Sequence, residues 1–431
     1  MELQINKRNV CNSLFFSLLI ILSFIPNIGI SFATAGFYWT PYRIIIGIII
    51  IGFLALHKDI MLKITDPLTD WILFMGVWVV YGTILLFTGK YSVFHTGFVE
   101  LLSLVNGLIV IYIMSKFLAS DKNREYAMDC IYWLLNCLLI FGLFEIATGW
   151  HWITSMFSDE SKSLQGYSRH VATGFMYNIN DFSAMLTCMS PILINRKFGK
   201  KRLLTFIGIL FINITNDATT CTLAIVIFIA FYFLILIGGK TQNGIVLKSL
   251  FWILSITVLA ILIALSARLV NRKDFIGAMA RQIFNAKSSM GSLYARIILY
   301  KDTIKAWLST GALGIGPGGF SNYFTLNTSS SGLINPHSLI LEILLQYGII
   351  VTTCFVGLLI KAFLRARIMY ESSNEVVRSN GLMIIAFVII YALASFAPSS
   401  FITYSYQWML IAVMFSQLRD SSKIVLSGGI N

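Results

Sequence analysis

The chain has 431 residues, 57% of them apolar and only 12% charged, with a mean hydropathy of +0.80. Soluble chains carry roughly a quarter charged residues, so a soluble globular enzyme is excluded. The net charge of +13 suits either a nucleic acid or a membrane, and the placement of the basic residues decides between them.

Apolar runs fall near residues 13–33, 41–56, 69–88, 97–115, 127–148, 180–195, 203–216, 218–238, 249–267, 337–360, 380–396 and 403–418. Each approaches the ~20 residues that cross roughly 30 Å of hydrocarbon, with 41–56, 180–195 and 203–216 on the short side. The expected fold is all-α, a polytopic membrane protein of about 12 transmembrane helices in one integral membrane domain over residues 1–431. The first run is too long for a removable signal peptide and lacks a small-residue cleavage site, so it reads as a retained helix.

With alternate connections assigned to opposite sides, one side collects 20 of the 32 Lys and Arg residues. The other side has Arg43, Lys90, Lys162 and Arg169 in its ordinary loops, and eight more in one segment from Arg268 to Lys305. Long loops translocate largely regardless of charge, so the deciding ratio is 20 to 4. It places both termini in the cytoplasm and makes the lipid bilayer, with no nucleic acid, the reason for the basic balance.

Two external segments exceed simple turns: residues 149–179, and residues 268–336 between helices 9 and 10. Function tends to sit where a scaffold spends extra chain. Within residues 290–308, Leu293, Ile297, Tyr300, Ile304 and Trp307 recur at steps of three and four, which predicts one apolar face of an amphipathic helix. Arg296 sits beside Ile297 on that face, where a guanidinium must snorkel to water or meet an anion.

The helix runs into Gly311-Ala-Leu-Gly314-Ile-Gly316-Pro-Gly318-Gly319. Such a turn either cradles phosphate through backbone N–H groups or lets backbones pack closely. It lacks the G-K-[ST] of an ATP-binding loop.

His337 follows Pro336 at the mouth of the tenth run. It is a side chain suited to taking a proton near neutral pH, and nearby arginines would favour its neutral form. The earlier segment holds Arg169, and Asn180 or Asp181 as caps for the sixth run. Glu100, Glu145 and Glu342 lie inside predicted spans, where a carboxylate is either functional or paired to lock the bundle. Glu342 is five residues from His337 and so is not its obvious partner on a helix. Six cysteines without a C-x-x-C pair read as small buried thiols, and five scattered histidines lack ligand spacing. No structural metal and no cofactor are expected.

Three stretches together resemble the O-antigen ligase and polysaccharide polymerase superfamily of bacterial envelope enzymes. Arg169, Gly174, Asn178 and Asn180 are similar to its R-x-x-G…N-x-N element, with four residues between the Arg and the Gly. Arg296, Trp307, Gly314, Gly316, Gly318 and Phe320 resemble its Arg-bearing helix running into G-x-G-x-x-x-F. His337, Leu341, Leu344 and Gly348 match its H-N-x-x-L-x-x-L-x-E-x-G element, with Ser338 and Gln346 departing from the pattern. Thr219-Thr220-Cys221-Thr222 stands where the family commonly has S-R.

The resemblance implies transfer of a glycan from an undecaprenyl-diphosphate carrier to an acceptor hydroxyl, outside the cytoplasmic membrane and without metal. It implies Arg169 and Arg296 on the diphosphate, His337 as base, and Asn178, Asn180, Gly316 and Gly318 in substrate binding. Within the family a polymerase is favoured over a ligase, and a flippase and a chain-length regulator are expected partners in such pathways. The rival class is a transporter or flippase. The chain shows no internal repeat and no G-x-x-x-D-R-x-G signature, and both count against that rival. Residues 34–40 hold no acidic metal ligand, against a metal-dependent polyprenyl-sugar transferase.

Overall fold

A computed structural model describes residues 14–26, 28–29, 32–34, 37–56, 66–158, 169–195, 201–238, 292–327 and 333–421. The expected ninth span at 249–267, and Lys162, lie outside these residues.

The first helix, α1 (Leu14–Phe24), is shorter than the apolar run 13–33. Pro26 follows two residues on, and the run ends in the first strand of an antiparallel pair, β1 (Phe32–Thr34) and β2 (Phe37–Trp39). The proline disfavours helix in the residue before it and cannot donate to a continuing helix, so the expectation of one unbroken first span is corrected here.

From α2 (Pro41–Leu56) onward the helices track the apolar runs. Next come α3 (Pro67–Thr88), α4 (Phe94–Phe117) and α5 (Asp121–Thr148). Asp66 caps α3 by accepting from Leu68 N at 3.0 Å, with Pro67 at the first helical position, the arrangement that suits a missing N–H. Ser120 caps α5, and Gly149 ends it in a left-handed conformation.

α6 (Ile179–Met189) tightens into a 3-10 turn at Ser190–Ile194, where Pro191 withholds its N–H. α7 (Lys201–Thr215) and α8 (Thr219–Gly238) follow. Then come α9 (Ser292–Ser309) and α10 (Gly319–Leu326), and finally α11 (Leu339–Tyr370), α12 (Glu375–Ala394) and α13 (Ser405–Ser416).

Among the described residues, five helices are long and apolar enough to cross a membrane: α3, α4, α5, α11 and α12. Shorter apolar helices coincide with α1, α6 with its 3-10 turn, α7 and the first part of α8.

α11 packs on α12, α3 on α4, and α13 on α4. Trp78 is fully buried between Tyr347, Phe355 and Trp408, with ring centroids 5.3, 6.1 and 6.1 Å away. Gly107 lets α4 approach the Trp408 ring, which a Cβ would meet at 2.7 Å. Of the described cysteines only Cys188 and Cys221 are buried; Cys137 and Cys354 are exposed on outward helix faces, so the buried-thiol expectation holds for two of them.

Charges close one end of the bundle. Arg419 pairs with Asp66 and donates to the carbonyls of Leu118 and Ser115. Arg124 bridges Asp121 at 2.6 Å and Asp420 at 2.9 Å.

Candidate functional site

At the opposite end, the α12–α13 connection gathers two of the residues singled out by sequence, Arg296 and His337. Arg296 of α9 donates from Nη1 to the Phe396 carbonyl at 3.2 Å. His337 N donates to Ser399 O at 3.1 Å, and the Tyr300 hydroxyl donates to the His337 carbonyl at 2.8 Å. Tyr300 stacks edge-on against Phe396 with centroids 6.0 Å apart. One turn of α9 therefore delivers both Arg296 and the hydroxyl that holds His337.

His337 has φ 46°, in the left-handed region that non-glycine residues rarely occupy. Pro336 precedes it, and Ser338 caps α11 by accepting from Leu341 N at 3.4 Å. The backbone bonds on either side keep this conformation in place, and strain of this kind clusters at functional sites.

Its Nδ1 is buried without a hydrogen-bond partner. Burial and then the Arg296 guanidinium lower the imidazole pKa to about 4, against a smaller upward pull from the carbonyls of Ala397 and Pro398. The ring is neutral at neutral pH, the form that accepts a proton. Asp217, in the short turn between α7 and α8, also feels Arg296: burial pushes its carboxyl up and the guanidinium draws it back.

Arg169 stands on a different wall, in the loop that follows α5. Its Nη2 donates to Phe157 O at 3.3 Å, and its own carbonyl lies 2.8 Å from His151 Nε2. His151 Nδ1 faces Glu145 Oε1 at 3.3 Å with both side chains buried. Glu145 also accepts from Thr173 N at 2.8 Å and Gly174 N at 2.6 Å.

Asn178, rather than Asn180 or Asp181, caps α6: its side chain accepts from Asn180 N at 2.8 Å. Asn180 lies half-buried in the first turn beside it.

The glycine-rich turn is committed elsewhere. α11 breaks at Gly348 (φ 78°, ψ −177°), and the turn docks into the break. Ile315 N donates to Leu345 O at 2.9 Å, Gly316 N to Gln346 O at 3.0 Å, and Ile349 N to Ala312 O at 3.1 Å. Gly318 N donates to Glu100 Oε2 at 3.1 Å. With their amides taken, Gly316 and Gly318 are engaged in close backbone packing, one of the two uses open to such a turn. A Cβ at Gly316 would lie 2.8 Å from Leu85 O.

The amphipathic helix is present but turned. The stripe that packs inward is Leu299, Thr303 and Ala306, whereas Ile297 and Ile304 are exposed. Leu299 and Ala306 join Ile315, Phe320, Phe324 and Leu345 in a separate apolar cluster. Helical spacing alone found the helix, but both of its faces carry apolar residues, so the sequence did not say which one faces the protein.

Sequence reasoning missed Tyr300 as the group holding His337. The carbonyls of Phe396 and Ser399 carry no side-chain signal at all. Among the described residues, no group of His, Cys, Asp and Glu is arranged to hold a metal.

No curated protein matches the chain. Residues 203–356 match the family model described as O-Antigen ligase, a stretch from α7 to the middle of α11 that includes Arg296, Gly316, Gly318 and His337 and leaves out Arg169, Asn178 and Asn180. That match makes the segment bearing Arg296 and His337 similar to the O-antigen ligase family.

Proposed function

We propose that this chain is a membrane glycosyltransferase that joins undecaprenyl-diphosphate-linked oligosaccharide units into a surface polysaccharide. The reading includes about 12 spans, both termini in the cytoplasm, and a site on the outer face of the cytoplasmic membrane. The observation that carries it is the convergence of Arg296 and a half-buried His337 on the one α12–α13 connection, at Phe396 and Ser399, with both residues inside the matched segment.

In this reaction an acceptor hydroxyl oxygen attacks the anomeric carbon of the donor sugar. The bond from that carbon to the diphosphate oxygen breaks, and the electron pair leaves with the diphosphate. His337 takes the hydroxyl proton; arginine is suited to the growing charge because its planar fork holds phosphate oxygens bidentately. Arg296 and Arg169 are the groups proposed for that task. Asn178, whose oxygen caps α6, would offer substrate its amide nitrogen and the second lone pair of that oxygen.

The test is complementation of a host deleted for this gene with wild type, His337→Ala, Arg296→Ala or Arg169→Ala at matched membrane levels, displaying surface glycan as a length ladder. Wild type restoring long chains while the variants leave single lipid-linked units supports a polymerase. Variants that accumulate long chains still on the carrier make the protein a ligase that hands finished glycan to lipid A-core or protein. Full activity from all three overturns the site and revives a flippase or transporter.

A further inference from the structure

The α7–α8 connection, Asn216-Asp217-Ala218, is only three residues long, yet it touches the surroundings of both arginines. Asn216 is 1% exposed. Its Oδ1 accepts from Ala172 N at 2.8 Å and its Nδ2 donates to Ala172 O at 2.7 Å, so the side-chain amide pairs with both backbone groups of one residue as a neighbouring strand would. The same Nδ2 reaches Ile179 O at 3.3 Å and Ser183 Oγ at 3.0 Å in α6. Ala172 lies three residues after Arg169, whose own carbonyl meets His151 Nε2. The arginine-bearing loop is thus gripped on one side by the His151–Glu145 pair and on the other by Asn216.

The next residue, Asp217, lies close enough to Arg296 for the guanidinium to act on its carboxyl. Asp217 has φ 53°, so the chain turns sharply there to return into α8. One buried amide therefore connects the loop holding Arg169 to a turn beside Arg296.

We propose that Asn216 is a positioning residue: its side-chain amide fixes the Arg169 loop at a set place relative to the Arg296 and His337 site. The inference rests on the reading of Arg169 as a diphosphate ligand. A reacting group displaced by about 1 Å loses on the order of a hundredfold in rate, and an unpaired amide pocket leaves the loop that freedom.

The experiment uses the full chain in lipid nanodiscs, with lipid-linked units extracted from the deletion host as donor and acceptor. Initial rates give kcat and KM for wild type, Asn216→Ala, Arg169→Lys and the double variant. Asn213→Ala is the control: Asn213 lies one turn earlier on α7 and bonds Thr187 of α6 at 2.9 Å, away from the Arg169 loop. The expected result is a fall of about tenfold to a hundredfold in kcat/KM for Asn216→Ala. The same substitution should cost little more in the Arg169→Lys background, and Asn213→Ala should stay within about twofold of wild type per folded molecule.

Full additivity of Asn216→Ala with an impaired Arg169→Lys overturns the positioning role and leaves the diphosphate reading standing. So does a wild-type rate in Asn216→Ala with only a lowered melting temperature. A wild-type rate in Arg169→Lys and Arg169→Ala sinks the diphosphate reading of that arginine, and the inference with it.

Discussion

Three carboxylates inside helices of this protein do one kind of work. Glu100 accepts from Gly318 N, Gln346 Nε2 and the Tyr347 hydroxyl. Glu145 accepts from the amides of Thr173 and Gly174, and Glu342 from Phe401 N and the Ser400 hydroxyl. Each binds a loop by its backbone N–H groups, where water is scarce and an unmet amide is costly. Glu145→Ala should lower stability by about 2–4 kcal/mol, from two amides left without an acceptor, as a drop in melting temperature in detergent. Their positions were plain in the sequence, but their partners were not, because backbone amides of a distant loop leave no mark in the residue pattern.

The neutral His337 makes a pH prediction at the same scale. Its pKa is lowered to about 4, so kcat/KM should hold from neutral pH down toward 5 and fall as pH passes through about 4. A limb centred near 6.5, the ordinary imidazole value, would mean the ring is solvated in the working state. The linkage has a definite sign. The unfolded ring takes its proton near 6.5 and the folded ring only near 4, so between these values the unfolded state binds more protons. Stability should therefore fall as pH drops through that window, and His337→Gln should flatten the fall, measured by melting temperature against pH.

Among the elements, α11 is the most informative. Hydropathy predicts a span from residue 337 and gives no hint that the helix breaks at Gly348, because the break depends on a loop docking from elsewhere. Gly348 adopts φ 78°, and a Cβ there would lie 2.5 Å from the Leu313 carbonyl. Gly348→Ala should therefore undock the glycine-rich turn, lower activity at least about tenfold, and reduce melting temperature. Gly357 lies on the same helix with nothing within 4 Å of its missing Cβ. Gly357→Ala should be neutral or stabilise by up to about 1 kcal/mol. If both variants behave alike, the docked turn is not what Gly348 protects.

For the whole molecule, the apolar runs conveyed the helix order well, since the bilayer imposes one length on every span. They failed where chemistry interrupts a run, as at Pro26 and at the Ser190–Ile194 turn. Sidedness also belongs here. The proposed orientation puts the α3–α4 connection outside and the α11–α12 connection inside. In a cysteine-free background, Lys90→Cys should react with an impermeant maleimide in intact cells, and Ser373→Cys only after permeabilisation. The reverse pattern would place the Arg296–His337 site in the cytoplasm and exclude an externally assembled glycan as its substrate.

The break in α11 also bears on how the chain is made. An interrupted helix entering lipid alone would bring bare peptide groups into hydrocarbon, each at a cost of several kcal/mol. Here Ile315 N, Gly316 N and Ala312 O supply the missing partners, and all three are synthesised before the break itself. As α11 emerges, the segment that completes it already exists, so synthesis order keeps the gap from waiting empty in the membrane. Moving residues 292–327 behind α11 by circular permutation would keep every contact of the finished fold and remove that timing.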